Sequence, residues 1–285
     1  TTSFSRFVPV EFLKSLKKEN LTDIKLGDQV EKRMTILFSD IRSFTSLSET
    51  MSPKDNFKFL NSFLERMVPC ILRNHGFVDK FVGDAIMALF PDNPADAISA
   101  AIDMQTEIQK MNKDMDIMVE KKISIGIGIH VGDLMLGTIG VTDRMETTVI
   151  SDAVNVAARM ERLTKLYNTG ILITGDTLIG LDKFQSRYLD TVIVKGKNIP
   201  NSVYEILDGL EPNLLEQRIQ SRDDFDSAVK NYRNGDIKKA KDQFEELMEK
   251  NNTDKTVELY IERCKHLLEN GIPEHWDCIE KLSSK

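Results

Sequence analysis

Apolar residues repeat along this chain with two periods, and the changes from one to the other lay out its elements. Ile123, Ile125, Ile127 and Ile129 alternate with small or polar residues over 122–131, the period of two expected of a strand. Residues 34–39 form an apolar run that reads as a buried strand ending at Asp40. Residues 77–82 and 85–90 flank Gly83-Asp84, a turn pair that makes them a hairpin. Gly132-Asp133 reads as a turn into a further strand at 134–139, and short strands are expected at 147–150, 170–174, 188–194 and 203–207.

Between these strands the period lengthens to 3.6. Phe57, Leu60, Phe63, Leu64, Met67, Val68 and Ile71 line one face of a long helix, with Ser52 suited to its cap, Pro53 to its first position and His75-Gly76 to its end. Ala97, Ile98, Ala101, Met104, Ile108 and Met111 give the inner face of a helix over 94–119. A third runs over 153–165 behind an Asp152 cap, with Val156, Ala157, Met160 and Leu163 inward, and a short one begins at a Ser43 cap. The order predicts an α+β fold with helices on one face of a largely antiparallel sheet.

The flanks differ from this middle. Residues 4–17 are amphipathic, which fits either a helix that patches the core or a relay from an upstream regulatory domain; 21–32 reads as a connector. Beyond Glu211 the chain is helical and charged. Phe225, Ala228, Val229 and Tyr232, then Gly235, then Ala240, Phe244 and Leu247 describe a helical hairpin of tetratricopeptide type. A lone hairpin cannot bury its own apolar face, so it must pack on the rest of the chain or on a partner. The division expected is 1–30 as N-terminal helix and connector, 31–210 as the central domain, and 211–285 as a helical extension.

Composition narrows the function classes. The 285 residues are 41% hydrophobic and 29% charged, an ordinary globular balance. A net charge of −7 argues against a general nucleic-acid-binding surface. No apolar run approaches the roughly 20 residues a membrane helix needs. No signal peptide is visible and the first residue is Thr1, which suggests a piece excised from a longer protein. Cys70, Cys264 and Cys278 are far apart and show no metal-ligand spacing, which favours a reducing, cytoplasmic setting, free or as the cytoplasmic part of a membrane-anchored protein.

Asp40 and Asp84 stand out against that background. Carboxylates at the ends of neighbouring apolar strands are costly to bury alone, and a cation between them removes the cost. Mg²⁺ is commonly held by one or two carboxylates and completed by substrate phosphates. Taken singly, Asp40 could cap the following helix and Asp84 could be only a turn residue. Gly126-x-Gly128 is no dinucleotide fingerprint, since it lies within an alternating strand and precedes no helix. His75 and His130 are single and are expected to be structural, and no catalytic triad or general base is apparent.

Four segments, FSDIRSFT (38–45), DKFVGDAIMALF (79–90), TVISDAVNVAARME (148–161) and VKGK (194–197), occur in an order and spacing that closely resembles the class III adenylyl/guanylyl cyclase catalytic domain. The resemblance covers about residues 31–207, and RFVPVEFL, LGDQVEK and the helical tail resemble the flanks of bacterial cyclases with sensory input domains, which implies such a domain upstream of this homodimeric-type unit. It implies a ferredoxin-like antiparallel sheet with helices. It implies that Asp40 and Asp84, helped by the Ile41 carbonyl, hold two Mg²⁺ or Mn²⁺ ions per site. Lys80 and Thr148 match the positions that read the purine, and this pair favours adenine: a lysine meets the N1 acceptor and a threonine oxygen accepts from the 6-amino group. Asn155 and Arg159, four apart and so on one helix face, match the residues that orient the ribose and stabilise the transition state. Lys195 matches the lysine on the terminal phosphates, and Phe44 and Thr45 fall among the substrate-contacting positions.

In the family the metal pair and the other set belong to opposite halves of a composite site. A chain with both sets implies a head-to-tail homodimer with two equivalent sites, converting ATP to 3′,5′-cyclic AMP and pyrophosphate. Guanylyl cyclase is the alternative within the class, and Lys80 argues against it. A regulatory module without activity is the alternative outside it, but Asp40, Asp84, Asn155 and Arg159 are all present. No GGDEF-like stretch points to a diguanylate cyclase. Ser151 departs from the family pattern, standing where glycine is usual, which raises the expectation of local turn strain.

Overall fold

The computed structural model describes residues 10–114, 122–141, 144–193, 200–251, 253–273, 276 and 280–281. Its centre is strand β1 (Gln29–Ile41), antiparallel to β3 (Ala85–Phe90) on one side and to β4 (Ile125–Val141) on the other. β2 (Phe77–Val82) continues the sheet beyond β3, and β5 (Arg144–Ile150) pairs with the outer half of β4. β6 (Ile171–Thr174) runs parallel to the inner half of β4, followed outward by β8 (Pro200–Ile206), β7 (Ser186–Ile193) and β9 (Glu280–Lys281). β1 begins within the stretch expected to be a connector, because Val30 and Lys32 already pair with β4.

The helices lie on both faces of the sheet, not on one as expected. Along β1, Leu37 and Ile41 meet α3 (Pro53–Arg73) and α4 (Pro94–Asp114) through Phe63, Met67, Ile71, Ala101 and Met104. Met34 and Ile36, pointing the other way, meet Ala153 and Ala157 of α5 (Asp152–Tyr167) and Phe12 of α1 (Val10–Ser15). Successive strand residues face opposite sides, so a central strand with few polar positions signals cover on both. The expected helix over 4–17 is thus seen as α1, with residues 1–9 outside the described residues, as are 115–121 beyond α4.

Four local expectations change. Gly132-Asp133 makes no turn: β4 runs unbroken for 17 residues. A Cβ at Gly132 would stand 2.6 Å from Ala153 Cβ, so this glycine makes room for α5. α5 is capped by Ser151, not Asp152; the Ser151 hydroxyl accepts from the Ala153 N–H at 2.9 Å. Ser151 is extended (φ −171°), so the strain expected there is absent. Ser43 precedes α2 (Phe44–Ser48) in a left-handed conformation (φ 54°) and makes no side-chain cap, whereas Ser52 does cap α3, accepting from Asp55 N at 3.1 Å.

α6 (Gly175–Leu178) is a single turn after β6. The C-terminal extension comprises α7 (Pro212–Gln220), α8 (Arg222–Arg233), α9 (Ile237–Lys250) and α10 (Lys255–Asn270). Its hairpin, α8 and α9, buries Phe225, Tyr232, Phe244 and Leu247 against Tyr260 and Cys264 of α10 and against Met160, Leu163 and Tyr167 of α5, Leu189 and Val192 of β7. The face a lone hairpin leaves bare is covered by α10 and by the sheet.

Candidate active site

The register Ser39↔Ile86 brings the end of β1 beside the β2–β3 turn, where Gly83 takes φ 64° and Asp84 follows. There the Ile41 N–H donates to both carboxylates, to Asp40 Oδ1 at 3.1 Å and to Asp84 Oδ2 at 3.3 Å. Asp40, Ile41 and Asp84, the predicted metal set, are therefore together. Burial, reinforced by the hydrogen bond with and the charge of Asp40, pushes the Asp84 carboxyl up to about 7. Two carboxylates sharing one neutral donor are under-compensated. This oxygen-rich, negatively charged donor set fits a hard divalent cation.

Asn155 and Arg159 stand on α5, Asn155 exposed and Arg159 half-buried, while Val156, Ala157 and Met160 point into the protein. Lys80 lies on β2, half-buried, with its ammonium 3.3 Å from Asp79 Oδ2. Asp79 is only 3% exposed at its side chain, and burial raises its carboxyl despite the lysine. Thr148 lies on β5 opposite Gly137 of β4. Lys80 and Thr148 thus sit on either side of the β3–β1–β4 trio. Phe44 opens α2 and stacks on Phe59 with ring centroids 6.3 Å apart; Thr45 beside it is exposed. Lys195 and the VKGK segment lie outside the described residues.

Two residues that the sequence did not single out border the metal pair. Arg42 follows Ile41, and its Nη2 donates to Thr164 Oγ1 and, at 3.1 Å, to Thr169 O. Glu161 is pushed up to about 7 by burial and then by the negative charge of Asp40. Their signal was their place inside the motifs, two residues after Asp40 and two after Arg159. Arg42 and Glu161 needed the packing of α5 on β4 to be seen as neighbours.

Residues 27–207 match the family model for the adenylate and guanylate cyclase catalytic domain. An adenylate cyclase of Anabaena cylindrica is 46% identical over 213 residues, 72% of this chain and 42% of that protein. The terminal-differentiation-specific adenylate cyclase of Dictyostelium discoideum is 36% identical over 269 residues, 91% of this chain but 13% of its own length. The chain thus spans less than half of either relative. Among solved structures, the adenylyl cyclase CyaB from P. aeruginosa superposes with a TM-score of 0.58 at 31% identity, over 62% of this chain and 95% of that one. The match of sequence and fold places this chain in the adenylate and guanylate cyclase catalytic domain family.

Proposed function

We propose that this chain converts ATP to 3′,5′-cyclic AMP and pyrophosphate at two composite sites of a head-to-tail homodimer. The observation that carries the reading is the convergence of Asp40 and Asp84 on the Ile41 N–H, with Asn155 and Arg159 on the outer face of α5. In each site one chain contributes the carboxylate pair and its partner contributes α5.

The 3′-oxygen of ATP attacks the α-phosphorus in line, the bond to the bridging oxygen of the β-phosphate breaks, and the 3′-hydroxyl loses its proton. Asp40 and Asp84, with the Ile41 main chain, would hold divalent metal, whose chemistry is to acidify the ribose hydroxyl and neutralise the departing pyrophosphate. Asn155 orients the ribose. Arg159 places its charge where the α-phosphoryl oxygens gain negative charge. Lys80, steadied by Asp79, donates to adenine N1, and Thr148 accepts from the 6-amino group. Lys195 meets the terminal phosphates.

Residues 31–210 form the catalytic unit in this reading, with 1–30 and 211–285 as flanks and a sensory domain upstream in the whole protein, of which this chain is a cytoplasmic part. None of the described helices is long and apolar enough to cross a membrane. The deciding experiment is product analysis with ATP or GTP and with Mg²⁺ or Mn²⁺, alongside oligomeric state by light scattering. Cyclic AMP from ATP is the expected outcome. Cyclic GMP from GTP would overturn the roles of Lys80 and Thr148. A dimer that makes neither would overturn the activity.

A further inference from the structure

We infer that Arg42 is a positioning residue that links the two composite sites through the interior of each chain, an inference that rests on the dimeric reading above. The Arg42 main chain continues β1 past Asp40, its N–H donating to Ser124 O at 2.8 Å. Its side chain then crosses β4 and reaches the last turns of α5. Nη2 donates to Thr164 Oγ1 in the last turn and to Thr169 O just past the helix end. Thr164 is fully buried, and its hydroxyl donates onward to the Glu161 carbonyl.

The crossing is built into the sheet. A Cβ at Gly126 would lie 2.8 Å from Arg42 Nη2 and would overlap the Thr164 hydroxyl. A Cβ at Gly128 would overlap the Glu161 main-chain nitrogen and lie 2.5 Å from the Ala157 carbonyl. The two glycines that spell no nucleotide fingerprint thus have a mechanical use: they let the α5 backbone rest on β4 and let a guanidinium pass beside it. One guanidinium nitrogen held by two acceptors of fixed position ties the end of β1 to the end of α5.

Arg42 therefore joins the metal carboxylates of one site to the helix that carries Asn155 and Arg159 into the other. A shift of β1 when one site fills moves the α5 lent to its neighbour. Communication of this kind needs a physical connection with defined geometry, and this chain provides one.

The test uses a heterodimer with a single working site. One chain carries Asp84→Ala and lends only its α5; the other carries Arg159→Ala and lends only its carboxylates. Arg42→Lys is then placed in the first chain, where it adjoins no carboxylate of the working site. The expected result is a fall of about tenfold in kcat with KM for ATP nearly unchanged, because a displaced but intact catalytic pair loses rate more than affinity. Thr164→Val in the same chain should lower kcat in the same way, and combining it with Arg42→Lys should add little, since both cut one connection. Unchanged kcat in the first chain, with the loss appearing only when Arg42→Lys is in the second, would overturn the inference and make Arg42 a residue of its own metal loop. An inactive parental heterodimer, shown to have formed, would instead overturn the composite-site reading and this link with it.

Discussion

Arg187 on β7 and Asp254, the N-cap of α10, meet at 2.7 Å with side chains 1% and 5% exposed. Glu205 of β8 holds the same guanidinium at 2.8 Å, Arg218 of α7 meets Asp254 at 2.7 Å, and Arg187 lies over the Phe225 ring. This buried network fastens the C-terminal helices to the sheet. Asp254→Asn can keep the cap to Thr256 N but leaves two buried arginines short of a counter-charge. Breaking a buried pair in this way costs about 3–5 kcal/mol. Urea unfolding should show that loss, and a variant within about 0.5 kcal/mol of the parent would mean the network contributes little.

The Asp84 carboxyl should make metal-free stability depend on pH. Its folded value, about 7, lies above the ordinary carboxylate value, so the folded state binds the extra proton. Stability from this group is complete below about pH 4 and is lost as pH rises toward 7. Glu161, also about 7, acts in the same direction. Mn²⁺ needs the deprotonated carboxylates, so it should raise the Tm strongly at pH 8 and weakly at pH 5. Asp84→Asn should flatten part of the metal-free slope and abolish the Mn²⁺ response; an unchanged response would place the metal elsewhere.

Mixing inactive Asp40→Ala and Arg159→Ala chains should restore activity, because one of the two sites in each heterodimer is then intact. At most about half of the parental turnover per heterodimer is expected, one site of two. No recovery in demonstrated heterodimers would count against a site shared across the interface.

Base choice should follow Lys80 and Thr148. Replacing Lys80 with Glu and Thr148 with Cys presents an acceptor to the guanine N1–H and 2-amino donors, so kcat/KM should move from ATP toward GTP. Mispairing a buried polar edge costs discrimination of about tenfold or more. Competition between the two nucleotides reads this directly, and retained ATP preference would remove the pair from base recognition.

Gly128→Ala should be far more damaging than its size suggests. Its Cβ would strike the α5 backbone at Ala157 and Glu161, which cannot step aside as a side-chain tip can. Overpacking of this kind costs about 1–3 kcal/mol or more. Both the Tm and kcat should fall, and a variant of parental stability would show that α5 can lift from β4.

What the sequence made legible was local. Asp40 and Asp84 sit where apolar strands end, and the four-residue spacing of Asn155 and Arg159 fixes their shared face. Gly132 misled because glycine before aspartate usually turns, while here it was spent on the close approach of Ala153. Ser151 looked like a flaw and is a cap. Arg42 to Thr164 spans 122 residues, and Arg187 to Asp254 spans 67, and neither leaves any periodic trace. Such pairs are created when separate elements pack, so only the assembled fold displays them.

The brief strand at Glu280–Lys281 runs alongside Val192 and Ile193, and Trp276 on the way to it packs edge-on to Tyr232 with centroids 5.1 Å apart. A sheet border with free N–H and C=O groups invites a border from another molecule. The tail therefore acts as a stopper: it occupies with its own backbone a place where a second sheet could dock. A chain trimmed after Pro273 would lose the Trp276 contact with Tyr232 and bare that border, and its chief failing would be self-association with time.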